Sequence, residues 1–335
     1  MTRSNRSRPQ VVVVTGASAG LGRAIVHAFA DRGDRVALLA RNRTGLEAAA
    51  EEVRARGGTA LVVEVDVADD GQVESAAQRV EQELGPIDVW VNNAMAAVFS
   101  PFLEVSPEEY RRGVEVTFLG SVNGARAALR RMTERDTGHL IQIGSSLAFR
   151  GIPLQSVYCA SKHALNGLYD SLRAELLHDG SRVQITSVHM PAMNTPQFRL
   201  GLAKMPHKAQ PVPPIYQPEV AARAVVWASE HRRREVWVGA STVATILGSR
   251  VAGGLLDHYL GRTGYSSQQT DEPADPDSPN YLFSPVPGDH GTHGPFDDQA
   301  HTRSVQLPVS LHRGAVLTGL TALGAAAVGL ARRHR

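Results

Sequence analysis

Val11-Val12-Val13-Val14-Thr15-Gly16-Ala17-Ser18-Ala19-Gly20-Leu21-Gly22 decides the fold of this 335-residue chain. Four valines in a row leave no polar face, as in a central strand buried on both sides. Glycines follow at once, and then a segment with helical spacing, Leu21–Asp31. Strand, glycine turn, helix is the context in which backbone N–H groups can approach a pyrophosphate and a helix N-terminus can add its dipole. The weaker alternative is a plain strand-to-helix turn.

Working outward, apolar β-branched runs continue to alternate with longer helical patterns. The candidate strands are Val11–Thr15, Arg35–Ala40, Ala60–Glu64, Val89–Val91, His139–Ile143, Gln184–His189 and Glu235–Val238. Between them, helical spacing covers Leu21–Asp31, Thr44–Arg56, Asp70–Leu84, Pro107–Arg135, Ser156–His178 and Pro218–Ser229. This alternation predicts an α/β domain over residues 1–245, a parallel sheet with helices on both faces. Residues 246–308 then turn rich in Pro, Gly, Asp and His and predict an irregular extension. Residues 309–335 carry an uncharged run of 18 residues, Gly314–Ala331, between basic flanks. At 1.5 Å per residue it reaches roughly 27 Å, near the lower limit for a membrane helix. Its small residues suit equally a helix packed on the core or on a partner.

Composition narrows the function classes. The net charge of +2 and scattered arginines give no nucleic-acid footprint. Cys159 is the sole cysteine, which excludes an internal disulfide and a Cys-rich zinc site. These features fit a cytoplasmic protein, with membrane association through the C-terminus left open. Asp289, His290, His293, Asp297, Asp298 and His301 have metal-ligand side chains, but no zinc-site spacing is matched and no metal is expected.

The chemistry points to Tyr158-Cys159-Ala160-Ser161-Lys162. On a helix the phenol and the ammonium share a face. A nearby cation favours phenolate, so the pair can serve as an acid/base unit for an alcohol oxygen. Lys162 is one of just three lysines in an arginine-rich chain, a mild sign that this position needs a compact ammonium. Ser145 lies 13 residues earlier, after a candidate strand, where its hydroxyl can orient a substrate oxygen; Ser146 competes for that role. Arg41 ends the second strand, with Arg43 beside it. An NAD enzyme commonly places an acid there for the ribose 2′-hydroxyl, whereas a cation suits a 2′-phosphate. NADP(H) is therefore preferred and NAD(H) second; a solvated arginine is the bland alternative. Asp66-Val67 and Asn92-Asn93-Ala94 also fall at carboxyl ends of strands, where parallel sheets bind ligands.

Thr15-Gly16-x-x-x-Gly20-x-Gly22, Asn92-Asn93-Ala94, Ser145 and Tyr158-x-x-x-Lys162 together resemble the short-chain dehydrogenase/reductase family, single-domain branch, over about residues 10–240. The resemblance implies a doubly wound, seven-stranded Rossmann sheet, a homodimer or homotetramer, and hydride transfer between a nicotinamide and a carbonyl/alcohol pair. It implies Tyr158 as general acid/base, Lys162 lowering its pKa and binding the nicotinamide ribose, and Ser145 polarising the carbonyl. Gly16, Ser18, Gly20, Leu21 and Gly22 would line the phosphates and Arg41 would contact the 2′-phosphate. Asp66 and Val67 would hold adenine, Asn93 would lie near the adenosine ribose, and Pro191 and Thr195 would border the nicotinamide. Three positions depart from the family pattern. Met95 and Ala192 replace glycines, and Thr117 stands where an asparagine helps hold a proton-relay water. An apolar segment, Pro196–Tyr216, predicts a substrate lid for a small apolar carbonyl or alcohol. The competing class is a catalytically silent nucleotide-binding scaffold or sensor that docks a membrane or partner through its extension.

Overall fold

The computed structural model describes residues 8–312. Seven parallel strands form the central sheet: β1 (Val11–Thr15), β2 (Arg35–Ala40), β3 (Thr59–Glu64), β4 (Val89–Asn92), β5 (His139–Ser145), β6 (Gln184–Met190) and β7 (Glu235–Trp237). Their spatial order is β3-β2-β1-β4-β5-β6-β7. The chain leaves β1 toward β2 on one side, yet β4 pairs with β1 on the other. That reversal opens a crevice at the carboxyl ends of β1 and β4, the place where such sheets bind ligands.

The four valines of β1 explain themselves in this setting. Val12 and Val14 pack against helices α1 (Gly20–Ala30), α2 (Arg43–Ala55) and α7 (Pro218–Ala228) on one face. Val11 and Val13 pack against α3 (Asp70–Leu84), α5 (Gly120–Glu134) and α6 (Ser156–His178) on the other. All four are at most 1% exposed, so each contributes the burial of a whole side chain, about 1.5–3 kcal/mol. Helix α3 starts on the Asp69 side chain, which accepts from the Gln72 amide. Helix α4 (Pro107–Val114) starts on a capping box between Ser106 and Glu109.

Two regions differ from the sequence reading. The single helix expected over Pro107–Arg135 is α4 and α5 joined by a π turn, Glu115–Leu119. The π turn is a single-turn bulge inside otherwise continuous helix, so the segment still reads as helical throughout. The extension is also more ordered than its composition implies. Helix α8 (Ala240–Val251) runs through the boundary expected at residue 245, and α9 (Gly253–Thr263) follows it. Residues Gln269–Pro273 then pair antiparallel with His207–Ala209, tying the extension to the expected lid. Another part of that lid, Leu202–Ala203, pairs with Val98–Phe99. Among the described residues no helix is long and apolar enough to cross a membrane. The run 314–331 lies outside the described residues.

Candidate active site

A cavity of about 620 Å³ occupies the crevice. The glycine loop lines one end, and Ser145, Tyr158 and Lys162 line the other. Every residue expected to bind the cofactor borders it: Gly16, Ser18, Gly20, Leu21, Gly22, Arg41, Asp66, Val67, Asn93, Pro191 and Thr195.

The loop is shaped by close backbone packing. Gly16 adopts φ +68°, and a Cβ on Gly22 would lie 2.1 Å from the Gly16 carbonyl oxygen, so a side chain at 22 has no room. Asn93 clamps the same loop, its Nδ2 donating to the Thr15 carbonyl at 2.8 Å. That bond braces the glycine loop. Asp66 accepts from the Ala68 amide at 3.0 Å and pairs with Arg112, a residue no local sequence signal singles out.

At the chemical end, β5 delivers Ser145 and α6 delivers Tyr158 and Lys162. The Ser145 hydroxyl accepts from the Leu147 amide at 3.1 Å and faces the same cavity as the Tyr158 phenol. Burial pushes the phenol up to about 12, and the Ser145 side chain offsets this in part. Burial also lowers the Lys162 ammonium to about 7. Lys162 is 2% exposed, its Nζ donates to the Ile143 carbonyl at 2.7 Å, and it stands 5.5 Å from the Tyr158 ring centroid. In the free protein desolvation thus sets the phenol, and the expected depression by Lys162 does not accompany it.

The three departures resolve differently. Thr117 does not border the cavity; it is fully buried on the π turn, and its hydroxyl accepts from the Ala96 amide at 3.0 Å. Ala192 needs no special backbone, since Asp136 and Leu154 are the described non-glycine residues with positive φ. Met95 puts its sulfur 4.0 Å from the hydroxyl of Tyr281, which belongs to the extension.

The nucleotide fit can be tested on one atom. Thr195 Oγ1 is buried without a hydrogen-bond partner at the cavity wall, next to Gly20. An orphaned hydroxyl there suits a polar group from a bound nucleotide.

The sequence model of the short chain dehydrogenase family matches residues 10–201. The chain belongs to the short-chain dehydrogenase family. It is 32% identical over 327 residues to an uncharacterized oxidoreductase, YxnA, of Bacillus subtilis (strain 168), covering 95% of this chain and 91% of that protein. Among solved structures it is similar to an alcohol dehydrogenase from the archaeon Thermococcus sibiricus complexed with 5-hydroxy-NADP. That match has 28% identity and a TM-score of 0.60, over 69% of this chain and 96% of the other. A metagenomic short-chain oxidoreductase in complex with NADP matches at 29% identity and a TM-score of 0.57, over 68% of this chain and 96% of the other. Family membership makes this chain an NAD(P)-dependent oxidoreductase of the dehydrogenase/reductase type, on a doubly wound Rossmann sheet.

Proposed function

We propose that the protein interconverts an apolar carbonyl and its alcohol with NADP(H), using Tyr158 as general acid/base. The observation that carries this reading is that Ser145, Tyr158 and Lys162 line one cavity with the glycine loop. The nicotinamide, when bound, supplies or takes up the hydride. In reduction, the Ser145 and Tyr158 hydroxyls orient the carbonyl oxygen, and Tyr158 gives that oxygen its proton as the carbon receives the hydride. A phenol held up to about 12 is protonated at neutral pH, as this direction requires. The Lys162 ammonium stabilises the phenolate left behind. Thr117, bonded within the fold, acts through the position of the Ala96 turn. NADP(H) rather than NAD(H) is supported by Arg41 at the end of β2, with Arg112 close behind it. Both solved relatives named above carry NADP or a derivative. The substrate's apolar character is supported by Phe99, Ile152, Phe198 and Leu200, which line the cavity together with Tyr158.

The test is a screen of NADPH oxidation against ketones, aldehydes and quinones. Turnover with at least one, abolished in Tyr158→Phe while NADPH binding persists, is the expected result. Unchanged turnover in Tyr158→Phe would sink the assignment. Tight NADPH binding with complete inactivity would favour the scaffold or sensor instead.

A further inference from the structure

The cavity has a wall that the family match, ending at residue 201, does not include. Tyr281, Pro285, Val286 and His290 line it together with the phosphate loop and Tyr158. The segment bearing them contains no helix or strand between Pro273 and Asp297, so no ladder holds it. Its anchors are instead side chains and amides of the nucleotide half. Arg41 donates to the carbonyl oxygens of Tyr281 and Phe283, the latter at 3.0 Å. Asn42 Nδ2 donates to the carbonyls of Val286 and Gly288 at 3.1 and 2.8 Å. The Gly20 amide, at the first turn of α1, donates to the Gly291 carbonyl at 3.0 Å. Arg23, buried in α1, pairs with Asp289 as well as Glu52. At the inner end, the Tyr281 hydroxyl accepts from the Ala97 amide at 3.3 Å, and Leu282 is wholly buried.

These contacts share one property: nearly all fall on the end of β2 and the start of α1, the elements that face a dinucleotide. We infer that residues 281–291 are a cofactor-binding strap, closing over the adenosine and pyrophosphate half of the bound nucleotide. The inference rests on the nucleotide-binding reading above. Most of its fastenings are polar and one apolar side chain is fully buried, so the strap can open locally while the sheet stays folded. A dinucleotide beneath it cannot leave until several of those bonds break together. The strap therefore slows exchange of the cofactor and gives Arg41 a second task, as the latch between the strap and β2.

The experiment uses the full chain and NADPH. Hydrogen exchange of amides 281–292 is followed with and without saturating NADPH. Release of bound NADPH, chased by excess NADP, is timed by its fluorescence in the wild type and in Asp289→Ala. Asp289 does not line the cavity, its side chain is 43% exposed and the buried Arg23 keeps Glu52, so its loss loosens the strap without removing a nucleotide contact. The expected results are marked slowing of exchange by NADPH across 281–292 and roughly tenfold faster release from Asp289→Ala. Exchange indifferent to NADPH, or release unchanged within about twofold, overturns the strap while leaving nucleotide binding intact. A wild type that binds neither NADPH nor NADH removes the underlying reading, and the strap with it.

Discussion

The glycine loop, residues 15–22, and the strap, residues 281–291, border the same cavity by opposite means. The loop follows a strand and opens a helix, so its shape is set by neighbours a few residues away. The strap has no periodic pattern, and its shape is set by Gly20, Arg23, Arg41 and Asn42, more than 230 residues earlier in the chain. One wall of the site is built into the sheet, and the other is laid over it. Damage to the first should therefore be global and damage to the second local.

The largest effect is expected at Gly22→Ala. Its Cβ meets the Gly16 carbonyl oxygen at 2.1 Å, so backbone must move. A stability loss of roughly 1–3 kcal/mol, the usual cost of overpacking, should appear in urea unfolding. NADPH affinity, measured by fluorescence titration, should fall about a hundredfold. A variant with normal affinity would show that the loop is not shaped by that contact.

Lys162 tests the chemical end that both walls serve. Its pKa falls from 10.5 to about 7 on burial. Below pH 7 both folded and unfolded chains carry the charge, and the burial cost is present in full. From pH 7 to 10.5 the unfolded chain binds more protons, so this group makes stability rise with pH across that window. Lys162→Met should flatten the rise and stabilise the free protein at pH 6 by on the order of a few kcal/mol. Urea unfolding at pH 6 and pH 9 checks it; an unchanged slope would mean that Lys162 is solvated.

Arg41 sits on the seam between the two walls. Arg41→Ala removes charge-assisted bonds, each about 1.5–3 kcal/mol, so KM for NADPH should rise about 10–100-fold while KM for NADH changes little. Equal losses for both cofactors would place the guanidinium on the strap alone and not at a 2′-phosphate.

The smallest global effect is expected at Leu282→Ala, within the strap. The free energy of global unfolding should fall by less than about 1 kcal/mol, while proteolysis between residues 281 and 296 accelerates. A global loss of about 2–5 kcal/mol would instead make the strap part of the core and erase the contrast with the loop.

Legibility followed the same divide. Strands β1 and β2 and helices α3 and α6 have the bounds that their periodicity predicts, and the remaining strands differ by one or two residues. Glycine spacing, the end of β2 and the four-residue step from Tyr158 to Lys162 are local signals, and each residue read from them lies on the cavity. The family resemblance sets Thr117 at the place of a relay asparagine, and the π turn directs its hydroxyl to Ala96 instead. Arg112 and Tyr281 carried no signal at all, because their partners, Asp66 for one and Ala97 and Met95 for the other, are distant in sequence.

By itself the sequence determined the sheet, the glycine loop and the Tyr158–Lys162 pair, since each depends on side-chain periods or spacings within a few turns of chain. Tertiary structure alone decided the ionisation of that pair and the second wall of the site. Desolvation of Tyr158 and Lys162 depends on everything packed around them. The course of residues 281–291 depends on donors that the fold brings to them from α1 and β2. Neither quantity is a property of a short stretch of chain.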